Sequence, residues 1–183
     1  MAESIYDKYF LTQELMQPAG FGQLLANFDG STMEGSMSYY SHWVPCKPDG
    51  IKGLSSWGQM AHGPHIHKTP ELIMHFGTNP DDPLDLGGEI IFYMGREMEK
   101  HVITRSTVVY IPPNLIHCPW IIKRVDRPFI IVQVNQEPKH TEKSMKQLVP
   151  EKERETMMFI DEGYDSDEKI VQLPAFLRAE GGE

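Results

Sequence analysis

An all-β domain is the fold this sequence predicts, and three observations predict it. Between residues 63 and 135, short runs rich in valine, isoleucine, tyrosine and phenylalanine recur at 71–76, 89–94, 101–111, 115–123 and 128–135. Each run closes in turn-forming residues, and none carries the spacing of an amphipathic helix. No internal repeat is visible, so one antiparallel barrel or sandwich is expected rather than two.

Taken in order, the chain opens with Ser4 and, three residues on, Asp7, a helix-start signal followed by Ile5, Tyr9 and Leu15 as an apolar stripe; Pro18-Ala19-Gly20 ends it. A stretch rich in glycine and aromatics follows, with a strand expected at 37–44 and a loop at 45–53. Residues 77–88 (GTNPDDPLDLGG) read as a long loop capping one barrel end. Past Asn135 the chain turns charged. A short helix broken at Pro150 is expected within 141–154, and Ile170, Val171, Leu173, Phe176 and Leu177 form an apolar patch expected to dock on the body. The organisation expected is an N-terminal extension (1–35), a barrel (36–135) and an acidic C-terminal extension (136–183).

A chain of 183 residues has room for one domain with a sizeable core. Its 17 basic and 26 acidic residues leave a net charge of −9, which disfavours nucleic acid or an anionic membrane surface as partner. Residues 151–168 hold eight acidic side chains against Lys152 and Arg154, so most of the excess sits there as a solvated surface. No apolar run reaches the length of a membrane span. The start, Met1-Ala2-Glu3-Ser4, lacks a basic region followed by an apolar one, so a cytoplasmic location is expected, with Cys46 and Cys118 as thiols.

The chemistry concentrates in Gly63-Pro-His65-Ile-His67-Lys-Thr-Pro-Glu71. Residues two apart on a strand share a side, so His65 and His67 aim at one point, and Glu71 shares their parity. Two imidazoles and a carboxylate suit Fe, Mn, Ni, Co or Zn rather than calcium, which prefers oxygen donors. Farther on, Ser106-Thr-Val-Val-Tyr-Ile-Pro112-Pro-Asn114-Leu-Ile-His117 reads as strand, tight turn and strand, and a barrel can bring His117 beside the first pair. Three histidines and one glutamate leave coordination positions open on a six-coordinate ion.

In these residues the sequence resembles the cupin superfamily. The family's first motif sets a glycine before H-x-H, then a glutamate and a later glycine; His65, His67, Glu71 and Gly77 match it, Gly77 one residue early. Its second motif, G-x5-P-x-G-x2-H-x3-N, is met at Pro112 and His117, with Ser106, Asn114 and Ile121 in place of the two glycines and the asparagine. Asparagine tolerates the left-handed turn that glycine favours. The resemblance covers 63–135, under half the chain. It implies a double-stranded β-helix (a jelly-roll barrel), one divalent transition metal on His65, His67, Glu71 and His117, a small-molecule substrate or ligand, and a homodimer of barrels packed sheet to sheet.

Other residues carry two readings each. His75 shares Glu71's parity and is a candidate acid/base beside Glu71, or a core histidine bonded to a neighbour. Tyr93, Tyr110, Trp57 and Trp120 line a pocket or fill the core. Arg105 clamps a substrate carboxylate or is a surface residue, and His101 reads as surface. Cys118, next to His117, is expected on the opposite side as a buried inert thiol. An enzyme of oxygenase, isomerase, decarboxylase or lyase type is the leading function, acting on a small oxygenated molecule. The alternative is a non-catalytic sensor or binding module. A storage-type relative is disfavoured because such proteins lack the metal residues.

Overall fold

The computed structural model describes residues 6–12, 23–48 and 54–178. Thirteen strands lie among them: β1 Gln23–Phe28, β2 Ser38–Val44, β3 Ala61–His62, β4 His65–Ile66, β5 Glu71–Gly77, β6 Asp85–Met94, β7 Glu99–Arg105, β8 Thr107–Ile111, β9 His117–Val125, β10 Phe129–Asn135, β11 Lys143–Ser144, β12 Met157–Asp161 and β13 Ile170–Gln172. One sheet has the order β1-β2-β10-β5-β8. The other runs β11-β4-β9-β3-β12-β13, with β6 on β9 and β7 on β6. Sheet neighbours such as β2 and β10 are distant in sequence, so the chain winds between two facing sheets as a double-stranded β-helix. The expected all-β barrel is the fold observed.

Alternation builds the interior. On β10, Phe129 and Ile131 point inward; they meet Val44, Ile73 and Ile111 from their own sheet and Ile90, Phe92, Ile103 and Ile122 from the other. Burying each such side chain contributes about 1.5–3 kcal/mol, which is the main reason the sheets close on one another. A second, smaller cluster of Ala61, Val149, Met157 and Phe159 seats the C-terminal segment against β3. Two glycines permit close approaches. A Cβ at Gly77 would lie 1.9 Å from the Asp85 carbonyl, where β5 ends against β6, and one at Gly63 would lie 2.1 Å from the Phe159 ring.

Several local expectations need correction. The run at 101–111 is two strands in different sheets. The break is Ser106, whose hydroxyl accepts from the Gly77 amide and donates to the Pro83 carbonyl, pinning the corner with side-chain bonds. The loop 77–88 is shorter than expected because pairing already begins at Asp85, opposite Arg105. Within 141–154 a 3-10 turn, Lys146–Leu148, precedes Pro150 and α1, Glu151–Arg154, follows it, so helix is interrupted at the proline as expected but is only one turn long on each side. In the C-terminal patch only Phe176 packs on the core, while Ile170, Val171 and Leu173 are exposed. Of the expected N-terminal helix, Asp7–Tyr9 forms a single tight turn; residues 1–5 and 13–16 lie outside the described residues. Among the described residues, no helix is long and apolar enough to cross a membrane.

The core assignment is measurable. Phe129 has no exposed surface and joins both sheets, whereas Val102 is 53% exposed. Phe129→Ala is expected to cost about 3–5 kcal/mol, and Val102→Ala about 0.5 kcal/mol or less, by urea unfolding at neutral pH. Equal costs at the two positions would refute this placement of the interior.

Candidate metal centre

Pairing in the second sheet sets His65 on β4 directly opposite His117 on β9. His67 follows β4 by one residue, and Glu71 opens β5 across the barrel. The turn between β8 and β9 is held to this region by the Asn114 amide, which donates to the His67 carbonyl at 2.8 Å. Asn114 has φ 59°, the left-handed conformation expected where the motif has glycine. The four candidate ligand atoms of His65, His67, Glu71 and His117 all lie within 4.8 Å of one another. All four residues are buried, with at most 3% of their surface exposed.

Each imidazole is anchored by its far nitrogen. His65 Nδ1 bonds the Gly63 carbonyl at 2.8 Å, His117 Nδ1 bonds the Leu115 carbonyl at 3.1 Å, and His67 Nδ1 bonds the Thr141 carbonyl. A carbonyl only accepts, so every Nδ1 carries a proton, and each ring, when neutral, presents its lone pair at Nε2. The Nε2 atoms of His67 and His117 stand 3.3 and 3.1 Å from Glu71 Oε2. Those contacts are close enough for attraction but misaligned for hydrogen bonding, and all three atoms are buried without a hydrogen-bond partner. Buried unpaired polar atoms are costly. A cation at their common focus would satisfy all of them, and the donor set of three nitrogens and one oxygen fits a borderline divalent ion.

Charge follows the same geometry. Burial, with the neighbouring imidazoles, pushes His65 well below its ordinary value. For His67 burial acts in the same sense, but the adjacent Glu71 carboxylate and the more distant Glu142 outweigh it and push the imidazole up to about 9. Glu71 is raised by burial, yet His67 and His117 together hold it well below the usual carboxylate range. A carboxylate this deep therefore stays ionised only with positive charge beside it, whether proton or metal.

The remaining candidates lie elsewhere. His75 is fully buried in the same interior, on the inward row of β5, about 13 Å along the strand from Glu71. Its Nε2 accepts from Trp120 Nε1 at 3.1 Å. Trp57 is core, donating to the Pro45 carbonyl; Tyr93 is half-buried, and Tyr110, Arg105 and His101 are exposed. Cys118 is buried, and its thiol is pushed well up, chiefly by burial. It does not face away from the barrel, however. Its backbone has φ 68°, which interrupts the alternation, and its side chain joins the interior core.

Sequence reasoning missed a group behind the ligands. Glu142, buried, receives His62 Nε2 at 2.8 Å and lies 3.8 Å from His65 Nδ1 and 3.6 Å from His140 Nε2. His62 stacks on His65 with ring centroids 4.3 Å apart. Gln133, inward on β10, stands 3.5 Å from Glu71 Oε1. Only His62, one turn of chain before the motif, carried any signal; Glu142 and His140 arrive from a segment more than seventy residues away.

The strand path is that of a double-stranded β-helix, and it brings the motif residues of β4, β5 and β9 around one point. No family model matches the chain, and no curated protein matches it. Solved structures that it resembles include a Klebsiella pneumoniae protein described as having a double-stranded beta-helix domain. That match has 12% identity over 74% of this chain and 94% of the other, with a TM-score of 0.40. An oxalate oxidase in complex with the substrate analogue glycolate matches at 16% identity over 77% of this chain and 66% of the other, TM-score 0.43. Oxalate decarboxylase from Bacillus subtilis matches at 14% identity over 68% of this chain, TM-score 0.39; this chain spans only 28% of that enzyme. These are likenesses of fold, and none assigns a substrate.

Two buried histidines outside the ligand set make the fold sensitive to acid. Burial pushes both His42 and His75 from 6.5 down to about 4. Between those values the unfolded chain binds the protons and the folded one does not, so stability is full above pH 6.5 and falls toward pH 4. The loss should be on the order of 3 kcal/mol for each histidine. Urea unfolding across that range is expected to show it, with a shallower slope in His75→Phe. An unchanged slope in that variant would refute the assignment of neutral His75 to the folded state.

Proposed function

We propose that this chain is a cupin, as its two motifs suggest, that it binds one divalent transition metal (Fe, Mn, Ni, Co or Zn) through His65, His67, Glu71 and His117, and that it uses the ion as an enzyme on a small oxygenated organic molecule. The observation that supports it most is the set of Nε2 and Oε2 atoms that converge, buried and unpaired, while each histidine's Nδ1 is bonded away. A purely structural residue cluster has no need to keep those lone pairs free. Such an ion, held by His65, His67, Glu71 and His117, would supply Lewis-acid polarisation of substrate oxygens.

The chain's own residues would do the rest. Glu71 is the carboxylate nearest the reacting atoms, and Gln133 steadies its other oxygen. His75 is neutral at physiological pH, so a proton role for it is that of an acceptor released from Trp120. No lysine or arginine among the described residues is buried, so a substrate's negative charge would meet the metal rather than a basic clamp. The reaction falls within the dioxygenase, isomerase, decarboxylase and lyase types that this barrel supports. The non-catalytic binder shares the same site and differs only in turnover.

Purified protein is expected to carry about one transition metal per chain through gel filtration, with most of it lost in His67→Ala and in His117→Ala. In the Co(II)-substituted protein, small diketones, hydroxy acids or catechols should shift the visible spectrum if they bind the metal directly, as this reading requires. Conversion of one of them, followed by oxygen uptake and product analysis, identifies the enzyme; a spectral shift without conversion identifies the binder. Full metal occupancy in both alanine variants would overturn the site itself.

We further propose a homodimer. The outward row of the five-stranded sheet is apolar across three strands: Leu72, Met74 and Phe76 on β5, Val108 and Tyr110 on β8, Ile130 and Val132 on β10. A patch of that kind marks an association surface, and a C2 pair is the commonest closed arrangement. Light scattering at micromolar concentration should give the dimer mass, and Met74→Lys with Tyr110→Glu should give the monomer. A monomeric wild-type protein would contradict the proposal.

A further inference from the structure

The segment that leaves β10 does more than close the barrel. From Glu137 it turns back and runs beside the ligand strand: Lys143 pairs with Ile66, Ser144 with His65, and the Met145 amide donates to the Pro64 carbonyl. Just ahead of these anchors lies Thr141, whose carbonyl receives His67 Nδ1 and whose hydroxyl receives the Lys68 amide at 3.2 Å. Thr141 is itself held from behind. The nearly buried Glu137 accepts both its amide, at 2.8 Å, and its hydroxyl, at 2.7 Å, on one carboxylate oxygen.

We propose that Glu137 is a positioning residue for the metal centre, acting through Thr141 to fix the tautomer and ring orientation of His67. The inference rests on the metal reading above. Two bonds from one carboxylate oxygen fix the amide and the side chain of Thr141, so its carbonyl stays aimed at Nδ1. With that acceptor in place Nδ1 keeps its proton, so the neutral ring that a metal requires has its lone pair on Nε2, facing Glu71 and His117. Without it the ring can turn or take the other tautomer, and an Nε2–H then points at the place where the ion belongs. Partners of this kind, one bond behind a ligand histidine, govern affinity strongly. The chain thus recruits part of its metal site from beyond the barrel strands, seventy residues from the motif.

The test uses full-length protein carrying Glu137→Ala, Glu137→Gln, Thr141→Val or Thr141→Ser. Metal dissociation constants come from chelator competition, ligand geometry from the Co(II) visible spectrum, and structural damage from the thermal midpoint of the metal-free protein. Glu137→Ala and Thr141→Val are expected to weaken metal binding by about 10–100-fold and to change the Co(II) bands. Glu137→Gln and Thr141→Ser, which keep the acceptor and the hydroxyl, should restore near-wild-type values. A merely structural role would lower the metal-free midpoint and leave affinity and spectrum unmoved; that result overturns the proposal, as does equal weakening by Glu137→Ala and Glu137→Gln. If Glu137→Ala does not fold, the Thr141 pair decides by the same criterion. A wild-type protein that binds no metal overturns the metal reading and the positioning role together, whereas wild-type binding with unaffected variants overturns only the latter.

Discussion

Glu71 is a carboxylate with 1% of its surface exposed, lodged in the interior of an apolar barrel against the imidazoles of His67 and His117. Taking such a charge out of water costs several kcal/mol even after relaxation, so the surroundings have to return that energy as favourable charge or hydrogen bonding. Gln133 supplies one long contact and the histidines supply the rest. Much of the local architecture can be understood as the provision of those partners: β4 set opposite β9, the left-handed Asn114 drawing the β8–β9 turn onto His67, and three backbone carbonyls holding three Nδ1 protons out of the way.

The barrel makes this possible because it decouples position in sequence from position in space. Glu71 and His117 come from different sheets, and the core packed between those sheets, Ile73, Ile111, Phe92 and Ile122 among it, brings their side chains to 3.1 Å. Rigidity has a counterpart in polarity. His42, His75 and Trp120 extend a buried polar row away from the ligands, and neutral histidines there survive only because burial suppresses their protonation. Behind the ligands, Glu142 with His62 and His140 forms a second carboxylate–imidazole group, built by the segment that returns after β10.

The cluster of candidate ligands was legible in the sequence because period-two alternation and a short spacing act locally: His65, His67 and Glu71 reveal their shared face within nine residues. His117 required the further idea of a barrel, and its turn residue Asn114 behaved as its backbone preference dictates. What alternation could not show was where it fails. Ser106 divides one β-rich run between two sheets through side-chain bonds that resemble no strand signal, and Cys118 enters the left-handed region and brings its thiol inside. Thr141, Glu142 and Glu137 were invisible for a different reason. Their part is a tertiary contact made by a charged, irregular stretch, and composition there reads only as solvated surface. The apolar residues near the C-terminus misled in the opposite direction, since Ile170 and Val171 stay exposed despite their hydropathy.

X-ray absorption spectroscopy on the purified, metal-bearing protein bears most directly on the account, because it reads the donor atoms without assuming a reaction. A first shell of about three imidazole nitrogens and one carboxylate oxygen at roughly 2.0–2.2 Å, completed by light-atom scatterers from solvent, is the predicted result. A shell containing sulfur, or one of oxygens with no imidazole scattering, would place the metal elsewhere and contradict the assignment of His65, His67, Glu71 and His117.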